Sequence, residues 1–287
     1  VVPCLTATGT VFLLLNQAPS LGIFLIVLSS LGATGLFLYI LSVQPALHNS
    51  VLVIGGLSWS VGNLLWWYHV PVHGLVGWWM GFLVFVVAAE RLELNRLARF
   101  SLLQKGAFLS GIVLGAGGMT LHTLGYAGTC LTGVGFVLLS FWLLKNDMVR
   151  RTLFLGGERG YTGWCLFTGY LWLGLGGTLM ILFPDANAGF LYDASLHSVL
   201  VGFVFTMIFG HAFIIMPGVL DVDLNYHHGF VLPLVLLEGT LALRVVADLL
   251  FNQGLRQWAG LGNALAIGLF FVMLAETGIR SYRTSAE

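Results

Sequence analysis

Ten runs of largely apolar residues follow one another along this chain, at roughly 2–16, 20–43, 50–68, 74–90, 106–124, 126–145, 160–183, 195–218, 229–250 and 257–279. A helix needs about 20 such residues to cross the hydrocarbon core of a bilayer. No water is available there to satisfy exposed peptide groups, so only helices and closed barrels can span it. The runs are too long, and alternate too little, for barrel strands. The expected fold is therefore all-α: a polytopic transmembrane helix bundle of about ten spans, forming one transmembrane helical domain over 1–287. Composition matters here in one respect. Only 8% of the residues are charged, against about 25% in soluble domains, so the chain cannot clothe itself in polar surface. The lipid bilayer is the first partner implied.

Positive charge orients the bundle. Arg91, Arg96, Arg99 and Lys105 follow the fourth run; Lys145, Arg150, Arg151 and Arg159 follow the sixth; Arg280 and Arg283 lie in the tail. These are ten of the twelve Lys and Arg residues, all on one side of an alternating bundle. Arg256 lies in a loop on the other side, and Arg244 within a run. Both ends of the chain are then expected on the cytoplasmic side, in a bacterial inner (cytoplasmic) membrane. The chain opens on VVPC, without an initiator Met or a basic leader, and upstream sequence is expected. Net charge is zero, so no basic field exists to attract nucleic acid. Cys4, Cys130 and Cys165 have no paired spacing, and are expected to be small buried apolar residues. Glycine runs such as GVGFV lie inside apolar segments, where they are not phosphate cradles.

With this orientation, positions convert into depths. His69 ends the third run, His73 lies just beyond it, His122 ends the fifth and His197 opens the eighth, so four histidines from three regions share the outer level. His211 follows His197 by 14 residues. On a regular helix that is about 21 Å further in and about 40° apart in azimuth, which lets both face one groove. His48, His227 and His228 belong near the inner face. Ionisable side chains in membrane helices are costly and turn toward the bundle interior or a cavity. Neutral imidazole is a good axial ligand for haem iron and for copper. The bland alternative for each is a histidine hydrogen-bonded to backbone or headgroups, and for His69 and His73 it is the expected one.

Other polar groups in apolar runs invite the same question. Glu238 sits near the middle of the ninth run, and Arg244 and Asp248 are spaced to pair on one helix face. Arg244 is otherwise a clamp for a haem carboxylate, and Glu238 a proton relay. Asp193 is expected to cap the eighth helix, or to orient His197. Glu90, Arg91 and Glu93 are read as solvated. Trp66, Trp67, Trp78 and Trp79 read as an interfacial belt. GAGG at 115–118 and GLGG at 174–177 read as helix-packing surfaces. Pro217 is read as the end of the eighth helix.

The segment LHSVLVGFVFTMIFGH, preceded by GYLWLGLGG and DASLH, resembles the late-helix motif of the NnrS family, polytopic membrane proteins linked to the nitric-oxide response. The resemblance covers about 161–250, with its motif around 192–217. It implies a many-helix protein that bears haem, and can bear copper, broadly comparable to the haem-copper oxidase architecture. His197 matches the family's LH position. The resulting expectation is a membrane protein holding one or two b haems, with copper as a further possibility. It would act in electron transfer or in binding NO or O2, alone or with other membrane subunits or a redox partner on the outer face. Expected ligands are His197 and His122, then His211; His69, His73 and Arg244 complete the cofactor-binding set. The alternatives are a transporter of ions or small molecules, lined by Glu238, Arg244 and His211, and a cofactor-free structural subunit.

Overall fold

The computed structural model describes residues 1–16, 18–95, 100–125, 127–220 and 224–285. Arg96 and Arg99, two of the orienting cations, lie outside the described residues. Among the described residues the chain is helical and has no strand. The helices are α1 (Val2–Leu14), α2 (Pro19–Val43), α3 (Leu47–Trp67), α4 (Val72–Leu94), α5 (Leu102–Thr123), α6 (Thr129–Asn146), α7 (Val149–Thr152), α8 (Gly157–Leu182), α9 (Gly189–His197), a π-helix (Ser198–Phe205), α10 (Thr206–Leu220), α11 (Val231–Leu249) and α12 (Gln253–Ser285). α9, the π-helix and α10 run on as one interrupted rod. Nine helical segments among the described residues are long and apolar enough to cross a membrane. The protein is an all-α polytopic bundle, and the lipid bilayer is its surrounding.

The first run is the exception in length. α1 has 13 residues, about 20 Å at 1.5 Å per residue. It packs antiparallel on α2, with Ser29 donating to the Val2 carbonyl at 2.8 Å and bonding Thr6 at 2.6 Å. The described chain thus begins at the level of the middle of α2.

The chain divides into two compact units, Val1–Leu139 and Ser140–Glu287, the division falling within α6. In the first unit, successive helices from α1 to α5 pack on their sequence neighbours. Lipid tails are as apolar as leucine, so the drive for association comes from close packing and from hydrogen bonds between helices. Both are present. A Cβ on Gly128 would lie 2.0 Å from the Gly118 carbonyl oxygen, and Gly135 meets the backbone of Gly115 and Gly111. The GAGG stretch is thus the floor of the α5–α6 contact. Thr34 bonds Ser60 at 2.9 Å, joining α2 to α3. Trp79 donates to Asn63 at 3.0 Å and Trp78 to Thr123 at 2.8 Å, so two of the expected belt tryptophans, both half-buried, also tie α4 to its neighbours. A capping box at Ser101 and Gln104 starts α5. Arg91, read as solvated, is buried in α4. Of the cysteines only Cys165 is buried; Cys4 is exposed.

In the second unit α8 lies along the interrupted rod. Gly176 meets Ser198 and Val199, Trp172 lies over Gly202, Gly169 meets Thr206 and Met207, and Cys165 meets Gly210. Twelve residues separate Ser198 from Gly210; in an α-helix they turn about 120° past three full turns. The looser π winding removes that excess and keeps one stripe against α8 throughout. The helix also continues through Pro217 to Leu220, rather than ending there. A proline near a helix end removes one peptide hydrogen bond, which neighbouring groups in a membrane bundle can replace. Two apolar clusters complete the unit. One gathers Phe209, Phe213, Phe230, Leu237 and Phe270; the other gathers Leu179, Ala194, Leu241 and Val245.

Candidate functional site

Two polar groupings of the second unit bear on the candidate site, and the turn between α11 and α12 builds the first. Phe251 adopts a left-handed φ of 54°, and Asn252 accepts from the Leu255 amide at 3.0 Å. This tight reversal returns Arg256, one turn into α12, over the end of α11. Its Nε lies 3.2 Å from Asp248 Oδ1, an ion pair out of line for a hydrogen bond. Its Nη2 lies 3.1 Å from Asp193 Oδ1, and its guanidinium stands over the Phe190 ring at 5.0 Å. Arg244 reaches the same carboxylate, Nη2 to Oδ2 at 2.9 Å and Nε to Oδ2 at 3.1 Å. Two guanidiniums and two carboxylates thus balance within one cluster.

Asp193 does not cap a helix. α9 begins at Gly189 with Ala188 before it, so Asp193 lies inside the helix, one turn before His197. His197 Nδ1 donates to the Asp193 carbonyl oxygen at 3.0 Å and lies 3.3 Å from Asp193 Oδ1. A carbonyl oxygen can only accept, so the proton is on Nδ1 and the lone pair on Nε2. In place of the expected Arg244–Asp248 pair, Arg244 pairs with Asp193 and Arg256 with Asp248, partners that neighbouring helices supply.

The second place is the middle of α11. Glu238 lies between the two apolar clusters, and Trp172 donates to its Oε2 at 2.6 Å. Its Oε1 is buried without a hydrogen-bond partner. Glu238 also lines a cavity of about 630 Å³, bounded by the start of α8, by Tyr161, Trp164 and Thr168, and by Tyr226, His228 and Val235.

His211 donates its Nδ1 proton to the Met207 carbonyl at 2.6 Å, as His197 does to Asp193. The two do not share a groove. The rod's stripe against α8 is Ser198, Gly202, Thr206 and Gly210; His197 comes one residue before it and His211 one residue after, so they leave the rod on opposite flanks. The expectation of a common face assumed regular α winding, which the π segment breaks. In the first unit, His69 in the α3–α4 turn, at φ 60°, and His73 in the first turn of α4 are both exposed. His122 ends α5, its Nδ1 3.3 Å from Thr129 Oγ1. The Trp78–Thr123 bond puts the end of α5 beside the start of α4, so these three histidines occupy one end of that unit. Among the described residues no three His, Cys, Asp or Glu side chains gather as a metal site.

Sequence reasoning named Asp193 as a residue to orient His197, but missed it as the partner of Arg244 and Arg256, and missed Trp172 as the partner of Glu238. A charge or an indole N–H placed mid-span signals that a partner must exist, but not which one. Tyr170, which donates to Asp147 at 2.5 Å, was missed on the same ground.

No curated protein and no solved structure matches this chain. A family model described as a domain of unknown function, DUF8744, matches residues 1–279, and the chain belongs to that family.

Proposed function

We propose that this is a haem-binding integral membrane protein, with His197 as an axial ligand, acting in electron transfer or in the binding of NO or O2. One observation carries the reading: His197 is held through Nδ1 by Asp193, and Asp193 is itself locked by Arg244 and Arg256. Metal-bound histidines are oriented in this manner by a carbonyl or carboxylate on the second ring nitrogen. The donors present suit haem better than copper. The porphyrin brings four nitrogens of its own, so one or two imidazoles suffice, whereas copper needs several protein ligands together. Haem supplies a one-electron couple and, with an open axial position, a site for a diatomic gas. His211 would serve a second, separate haem. The resemblance of 192–217 to the NnrS motif supports the same reading, and the cation-rich loops favour a bacterial inner membrane with the tail cytoplasmic.

The test is a visible spectrum of the purified protein, oxidised and dithionite-reduced, with metal analysis. The expected result is a Soret band with sharpened α and β bands on reduction, lost or shifted in His197→Ala and retained in His122→Ala. A colourless protein without iron, purified from cells supplied with haem precursor, overturns the reading.

A second reading, transport of an ion or small molecule through the second unit, draws on the half-satisfied Glu238 carboxyl beside a cavity. Flux into liposomes that is lost in Glu238→Gln, from a protein without chromophore, would replace the first reading with this one.

A further inference from the structure

The cavity beside Glu238 is chemically distinct from the histidine sites. Its volume of about 630 Å³ lies within the ~300–1,000 Å³ usual for small-molecule sites. It begins at Gly156 and Gly157 at the start of α8 and at Tyr226 and His228 before α11, and ends at Glu238. Ten residues separate His228 from Glu238, a depth of about 15 Å. Two lining residues, Trp164 on α8 and Val235 on α11, are 47% and 62% exposed. The cavity therefore opens sideways, between α8 and α11, where the acyl chains of the bilayer lie.

Three features define what fits. The lateral mouth admits a molecule dissolved in lipid. The rings of Tyr161, Trp164 and Tyr226 line the cavity, giving flat surfaces for an aromatic head. At the deep end Glu238 Oε1 is buried and short of a well-aligned donor, with the Thr168 hydroxyl beside it already given to the Trp164 carbonyl at 3.0 Å, while Trp172 holds Oε2. An unmet buried acceptor is costly, and a bound donor would satisfy it. A carboxylate accepts from a hydroxyl, and a carboxylic acid donates to a carbonyl, so one group can serve both a hydroquinone and its quinone.

We propose that this cavity binds a lipid-soluble quinol or quinone, its ring between α8 and α11 and one ring oxygen hydrogen-bonded to Glu238. The site does not depend on haem at His197. The test uses the full chain in nanodiscs, with decylubiquinone as the probe and quenching of tryptophan fluorescence as the signal. Saturable quenching is expected, reduced in amplitude by Trp164→Phe. Glu238→Leu should weaken binding about tenfold or more, the effect of losing a hydrogen bond to an ionisable group. Val235→Phe alters an exposed position, leaves the fold intact and fills the mouth; it should abolish saturation. His197→Ala should bind as the wild type does, whatever its spectrum, which separates this site from the haem reading. Quenching that rises linearly without saturation, or saturates equally in Glu238→Leu and Val235→Phe, overturns the proposal. So does equal competition by decanol, which would make the cavity a seat for an acyl chain.

Discussion

Asp193 is the residue on which the outer cluster turns, because three positively charged or proton-donating groups converge on it. Its side chain and that of Arg244 are each 15% exposed, and Asp248 is fully buried. Removing one member of such a cluster leaves its partners desolvated and unpaired, at a cost of about 3 kcal/mol or more. Asp193→Ala should therefore lower the thermal midpoint by several degrees. Added to Arg256→Ala it should cost less than the sum of the two, as residues of one network do. Strict additivity in a double-mutant cycle would show the ion pairs to be independent. The same residue marks the limit of what a sequence reveals. Glu238, Arg244 and Asp248 are conspicuous because charges in an apolar run need partners. Local spacing nominated Arg244 and Asp248 for each other; the real partners are 51 and 8 residues away in sequence, Asp193 and Arg256. Only the tertiary fold brings them together.

At the scale of the element, the interrupted rod from α9 to α10 is the feature that sequence pattern could not disclose. Apolar length predicted the spans well: the run at 160–183 is α8 over Gly157–Leu182, and that at 74–90 is α4 over Val72–Leu94. Length does not encode winding, and Ser198–Phe205 carries no residue that demands a π turn. Its signature is the spacing of small positions against α8, visible only once both helices are in place. Gly202 is the tightest of them, since a Cβ there would lie 2.4 Å from the Trp172 ring. Gly202→Ala should push the helices apart and destabilise the protein by about 1–3 kcal/mol. Gly268→Ala, with open space around it, should be neutral or slightly stabilising through helix propensity. Unfolding in a graded denaturant mixture compares the two. The winding also predicts that His197 and His211 act separately. Any spectral change in His197→Ala should be the same with or without His211→Ala, whereas ligands of one shared group would show strong coupling.

For the whole molecule, orientation rests on cations whose positions are largely independent of how the helices pack. The K/R bias acts through short loops near span ends, and here Lys105 and Arg159 lie in the first turns of α5 and α8, Lys145 in the last turn of α6, and Arg150 and Arg151 in α7, all on the side that alternating spans predict to be cytoplasmic. Arg256, a cation in the first turn of α12 on the opposite side, is paired with Asp193 and Asp248, so it presents little free positive charge there. Membrane insertion should therefore leave the α4–α5 loop inside and the α8–α9 loop outside. Single cysteines at Ser101→Cys and Asn187→Cys, both exposed positions, in a background with Cys4, Cys130 and Cys165 replaced, should divide accordingly. A membrane-impermeant maleimide should label position 187 in intact cells and position 101 only after the membrane is opened. The reverse pattern would place the Asp193–Arg244–Arg256 cluster and His197 at the cytoplasmic face. Any electron donor or gas reaching His197 would then have to come from the cytoplasm, and the cavity at Glu238, whose entrance loops lie at the other end of α8 and α11, would open toward the outer leaflet.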